Sequence, residues 1–232
     1  MRALPDTAAC ATCALLLAWP GLLLAEDKPG IREVGALVYD GMPELPRAEV
    51  ARAGQYLNVR SAALAGWTAD GAMLVTTVFG DTAQVHRLVT PGSYRQQLTF
   101  FDEPVRGVWA DPGNARRLVV SLDAGGGEFY QLYRYDLDSG QKTLLTDGKS
   151  RHKLGAVRED GSQIVVSSNQ RNGRDVDLYL VTPRQTGSMK LLMQVDRQTW
   201  SALDWSHDGK TLLLARYVSA NESYPALLDV AS

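Results

Sequence analysis

Three histidines, two cysteines and a few closely spaced acids are the residues of this 232-residue chain whose types could do chemistry. A histidine acts as a general base only beside a positioned nucleophile, and no G-x-S-x-G elbow occurs anywhere in the sequence. His86 lies within a strand pattern and reads as a structural residue. His152 falls in the basic run "KSRHK", read as a loop, and His207 sits just before the Asp208-Gly209 hairpin. Cys10-Ala-Thr-Cys13 has the spacing of a redox or metal pair, but its setting is an apolar leader without a βαβ pattern. Thr7-Ala8-Ala9-Cys10 also lacks the aliphatic residue of a lipidation signal.

The remaining motifs read as scaffolding. Gly125-Gly126-Gly127 is not followed by the Lys-Ser or Lys-Thr of a phosphate loop, so a flexible hairpin is expected. Asp136-Leu137-Asp138-Ser139-Gly140 has acidic spacing suggestive of calcium but no downstream Glu, and reads as a turn. Asp175 and Asp177 share one face of a strand, where paired acids can serve glycoside hydrolysis. The plainer reading is a solvated face offset by Arg171 and Arg174. Asn221-Glu222-Ser223 fits an N-glycosylation acceptor. The expectation is therefore no catalytic residue, no cofactor-binding residue, no metal ligand and no cofactor.

A net charge of −2 supplies no broad field for nucleic acid or anionic membrane, so neither is expected as a partner. Residues 1–25, with Arg2 ahead of an apolar run from Ala14 to Ala25, read as a signal peptide: a run of about 12 residues is short for a bilayer span and right for a secretory leader. Cleavage before Glu26-Asp27 would leave a mature chain without cysteine, exported to the periplasm or the extracellular space, whose stability rests on its core. Residues 26–64 form a lead-in segment, expected to pack against the strand-rich remainder of the chain. Within it Pro46 to Ala53 is expected to form a short helix, limited by Gly54.

What must position everything else is a repeat. "WTADG" (Trp67 to Gly71), "WADPG" (Trp109 to Gly113), "VREDG" (Val157 to Gly161) and "WSHDG" (Trp205 to Gly209) place their glycines 42, 48 and 48 residues apart. Each leads into an apolar run: Met73-Leu74-Val75, Leu118-Val119-Val120, Ile164-Val165-Val166 and Leu212-Leu213-Leu214. Asp-Gly between apolar runs is a hairpin signal, and continuous apolar runs suit strands buried on both faces. Second strands begin near Gln84, Gln131, Asp177 and Pro225, and third strands return at Gln97, Thr143 and Lys190. Strand-rich units at this period predict an all-β fold: a partial β-propeller over residues 65–232, with about three complete four-stranded blades and part of a fourth. A β-sandwich is the competing architecture. Trp67, Trp109 and Trp205 are expected to fill equivalent places between blades. Ser232 arrives before a fourth blade's last strand, and such an edge pairs readily with other chains.

"SAALAGWTADGAMLVTTVFGDTAQVHRL", "QLTFFDEPV", "GGGEFYQLYRYDLDSGQKTLLTDG" and "LDWSHDGKTLLLAR" resemble the amino-terminal propeller of exported serine peptidases of the prolyl oligopeptidase family. The D-G-K hairpins are shared with TolB-like periplasmic propellers. The resemblance covers Val34 to Ser232. It implies a propeller that gates peptide access to a carboxy-terminal α/β-hydrolase domain absent from this chain, with oligopeptide as the substrate of that missing domain. In the dipeptidyl-peptidase branch acidic propeller residues hold the substrate amino terminus. Glu103 in "FFDEPV" is the candidate for that role, although a surface-turn role fits it better. The alternatives are a TolB-like periplasmic propeller that binds protein partners without catalysis, and a purely structural remnant.

Overall fold

The computed structural model describes residues 30–34, 37–123 and 125–230; the leader, Cys10 and Cys13 lie outside them. The chain forms two compact units that meet in sequence at Asn58 and Val59. In the first, β1 (Ile31–Val34) pairs antiparallel with β2 (Leu37–Asp40), and α1 runs from Arg47 to Leu57. Pro46 stands at the N-cap and contributes the fixed φ that suits a helix start. The helix continues through Gly54, which therefore does not limit it. It ends where the Asn58 N–H bonds the Gly54 carbonyl.

The second unit contains four antiparallel sheets arranged as propeller blades. Blade 1 is β3 (Ala62–Trp67), β4 (Met73–Val78), β5 (Ala83–Leu88) and β6 (Gln96–Gln97). Blade 2 is β7 (Gly107–Ala110), β8 (Arg117–Leu122), β9 (Gln131–Asp136) and β10 (Lys142–Leu144). Blade 3 is β11 (His152–Val157), β12 (Ile164–Ser168), β13 (Asp177–Val181) and β14 (Lys190–Met193). Blade 4 has three strands among the described residues: β15 (Thr199–Trp205), β16 (Thr211–Ser219) and β17 (Glu222–Asp229). Strand order within each blade follows the chain, as short hairpins require. The first strands lie beside one another, β3 against β7 and β11 against β15.

The core consists of three layers, one between each pair of successive blades. Leu74 and Val85 of blade 1 meet Leu118, Val120 and Leu122 of blade 2. Val119 and Leu132, on the other face of blade 2, meet Ile164, Val166 and Val181. Val165 and Leu178 then meet Leu212, Leu214 and Trp205. The continuous apolar runs follow directly: in an inner blade both faces of the second strand are covered, so alternation disappears. Each fully buried Leu, Ile or Val in these layers contributes about 1.5–3 kcal/mol.

The four hairpins are not equivalent. Gly71, Gly161 and Gly209 take φ of 79°, 69° and 66°, and each donates its N–H to the carbonyl three residues back. Gly113 does not adopt a positive φ. Its hairpin starts one residue later, at Asp111, whose N–H bonds the Arg117 carbonyl. The shift reverses Trp109, because one residue of slip exchanges the faces of a strand. Trp67 stands opposite Met73 and Trp205 opposite Leu212, whereas Trp109 stands opposite Val119. Trp109 therefore packs forward onto blade 3. Trp205 packs back against it, with its indole Nε1–H 3.4 Å from the Ala156 carbonyl oxygen. Trp67 has the Trp205 register but no blade before it among the described residues, and is 61% exposed. The expectation of three equivalent inter-blade tryptophans is corrected accordingly.

Candidate functional site

A recurring polar clamp fixes one end of the blades. In blade 1 the Gln84 carboxamide donates to the Phe101 carbonyl (2.8 Å) and accepts from Thr99 Oγ1 (2.7 Å) and the Phe101 N–H (3.2 Å). In blade 2 Gln131 repeats the pattern, donating to the Ser150 carbonyl (2.6 Å) and accepting from Thr146 Oγ1 (2.7 Å) and the Gly148 N–H (2.9 Å). Blade 3 has Asp177 in that place, accepting from the Val195 N–H (2.8 Å) and from Arg171 Nε (2.6 Å). All three side chains are buried. The sequence carries the signal as a repeated Gln-to-Thr spacing of 15 residues, which escapes a reading keyed to glycine.

Asp175 and Asp177 are thus not a solvated face. Arg171 bonds both, Asn172 Nδ2 donates to Asp175 (2.7 Å), and Arg174 lies 3.3 Å from Asp175. A buried carboxylate survives only when hydrogen-bonded and paired, and these are. The bonds from Asn172 and Arg174 hold the Asp175 carboxyl well below its usual range. With their lone pairs committed to protein donors, the two acids have no arrangement for sugar chemistry.

The other motifs fall into place as turns. Asp136 Oδ1 accepts from the Ser139 N–H and hydroxyl (both 2.9 Å), while Asp138 pairs with Arg116 at 2.8 Å. Glu103 Oε1 accepts the Gly125 N–H (3.0 Å), clasping the glycine-rich loop. Asn221 lies at the exposed tip of the β16–β17 hairpin. His207 is exposed and lies 2.7 Å from Glu159. Among the described residues no group of three or more His, Cys, Asp or Glu is placed to hold a metal ion.

Two histidines are buried, each beside a cavity. His86 borders one of about 290 Å³ at the β4–β5 end of blade 1, with Phe79 packed edge-on at 5.1 Å. Burial pushes its pKa down, so the neutral ring donates Nδ1–H to the Gln84 carbonyl at 3.0 Å. That cavity backs onto the Gln84 clamp and is structural in character. His152 is the first residue of β11, not part of a loop, because its strand pairs it with Ser168. Its Nε2–H donates to Asp147 Oδ1 at 2.8 Å. Burial acts to raise the Asp147 pKa, but bonds from the Ser150 hydroxyl, the Lys149 and Ser150 N–H groups and His152 outweigh it and hold the carboxyl far below its normal range. The other ring nitrogen, Nδ1, is buried without a partner, so no hydroxyl completes a Ser–His–Asp relay.

The larger cavity lies beside His152. It measures about 460 Å³ and opens between β7 and β11, the first strands of blades 2 and 3. Val108, Leu154 and Tyr130 give it apolar walls, and Arg106, Arg151 and Lys153 are exposed around it with Glu128. This is the candidate functional site: a concave, partly apolar cleft with a few charged groups, as ligand sites generally are. The basic run that supplies two of its cations is legible in the sequence, but not that a strand start sets them over a cleft.

Comparison with known proteins extends the fold description. No family model and no curated protein matches the sequence. Solved propellers do match. TolB from Acinetobacter baumannii is 18% identical, with a TM-score of 0.58 over 75% of this chain and 42% of that one. A prolyl endopeptidase studied for inter-domain dynamics is 11% identical, with a TM-score of 0.63 over 80% of this chain and 30% of that one. Prolyl oligopeptidase B from Galerina marginata, bound to a 35mer substrate, is 14% identical, with a TM-score of 0.54 over 74% of this chain and 29% of that one. The chain is therefore a β-propeller similar to those of TolB and of prolyl oligopeptidases, and it spans less than half the length of each.

Proposed function

We propose that this chain is the non-catalytic propeller portion of an exported serine peptidase of the prolyl oligopeptidase type, acting by admitting short peptides to a hydrolase domain encoded with it. The observation that carries the reading is the cleft between β7 and β11: its volume suits a few peptide residues, and its walls combine apolar and charged groups. The likeness to two prolyl peptidases agrees with it. Chemistry by the chain itself is not part of the proposal, since neither buried histidine engages a hydroxyl nucleophile. Export rests on residues 1–25, and mass spectrometry of the secreted product should find Glu26 as the new amino terminus.

The test is to treat the full-length gene product with a fluorophosphonate serine probe and to assay prolyl peptides. Labelling together with peptide hydrolysis is expected. A product that is inert to the probe yet captures periplasmic protein favours the second reading, a TolB-like binding propeller, for which the match to TolB speaks.

A further inference from the structure

We propose that the cleft between β7 and β11 receives the free carboxy terminus of a short peptide, with the terminal carboxylate held by Arg106, Arg151 and Lys153 and the last side chain laid on Val108 and Leu154. This deepens the peptide-admitting role above and rests on it. The cations come from two blades: Arg106 immediately precedes β7, Arg151 immediately precedes β11, and Lys153 is the second residue of β11. Among the described residues none of the three is in an ion pair, although eight other arginines are. Arg151 is held in place over the Phe129 ring, 5.4 Å from its centroid.

Glu128 is the one acid on the lining. It sits at φ 58°, a left-handed conformation that costs a non-glycine residue about 1–2 kcal/mol. Its N–H is tied to Asp123 Oδ2 at 2.9 Å. The lining itself carries three cations against one carboxylate, and although Asp147 and Asp123 bear charge just behind His152 and Glu128, its exposed rim attracts an anion. A guanidinium pair and an ammonium suit a planar carboxylate, which Arg binds through two parallel N–H bonds. Val108 and Leu154 prefer an apolar side chain next to that charge, which a peptide ending in Leu or Phe presents and a simple inorganic anion does not.

Calorimetric titration of the 232-residue chain with Gly-Ala-Leu as the free acid and as the carboxy-terminal amide tests the proposal without any mutation. The free acid should bind at least 10-fold more tightly than the amide, as loss of a charged hydrogen bond implies. Its affinity should fall with added salt, and inorganic phosphate should compete weakly. Arg151→Gln and Lys153→Gln should each weaken the free acid several-fold and leave the amide unchanged; Glu128→Gln should tighten the free acid. Equal binding of acid and amide, no binding of either at 10 mM, or phosphate competing as well as the peptide would overturn it. Failure here leaves the serine-probe result untouched, so this proposal and the peptidase reading fall separately.

Discussion

Gln131 shows how much of this fold is set by single polar residues. Its four bonds, to the carbonyls of Phe129 and Ser150 and from Thr146 and Gly148, join a central strand to the loop that leads into blade 3. Replacing it by Leu keeps the volume and strips partners from buried groups, each worth about 1–3 kcal/mol. Gln131→Leu is expected to lower stability by about 3 kcal/mol, read as a reduced urea midpoint at constant m value. Asp147 makes a different prediction. Its carboxyl titrates far below the normal range when folded, so it stabilises the fold fully above about pH 4 and loses that contribution as pH falls further. Melting temperature of the wild type should drop as pH is lowered from 4 towards 2, and Asp147→Asn should flatten that drop. An equally steep decline in the variant would place the acid sensitivity elsewhere.

At the scale of elements the blade-to-blade contacts decide. A Cβ on Gly161 would lie 2.7 Å from Pro112 Cδ and 2.9 Å from the Trp109 ring, at a φ of 69°. Gly92 has a φ of 79° and nothing within 4 Å. Gly92→Ala should cost only the left-handed strain, about 1 kcal/mol, while Gly161→Ala should cost clearly more because blade 2 must move; equal losses in parallel urea melts would contradict the packing described. This interface also marks the limit of what the sequence discloses. The period, strand order and three complete blades are legible because Gly and apolar runs recur. The reversal of Trp109 is not, since "WADPG" keeps the Trp and Gly spacing of its siblings while its turn begins at Asp111. That carboxylate accepts the Gly113 N–H at 2.9 Å and Arg184 Nη2 at 3.0 Å from blade 3. The acids at 175 and 177 elude the sequence for a related reason: spacing gives a face, but only tertiary packing says whether that face is wet. The three cations of the cleft come from segments 45 residues apart, and nothing local joins them.

At the scale of the molecule, among the described residues the inner blades are covered on both faces and the outer two are not. Leu213 and Leu227 stand opposite each other on blade 4, 37% and 76% exposed, where the corresponding Val165 of blade 3 is fully buried. Leu64 and Trp67 are exposed on blade 1 at 64% and 61%. Apolar faces of this kind associate. The 232-residue chain alone should show light scattering that rises with concentration, and Trp67→Arg with Leu227→Lys should reduce it; a strictly monomeric wild type would argue that these faces are too small to matter. The central claim concerns another open feature, the cleft between the first strands of blades 2 and 3, as the proposed place where the molecule meets peptide. Chemical-shift mapping of the isotope-labelled chain with a short free-acid peptide tests it most directly. Perturbations should concentrate at Gly107, Val108, Tyr130, Lys153 and Leu154. Shifts confined to blade 1 or to the exposed faces of the outer blades would contradict the account.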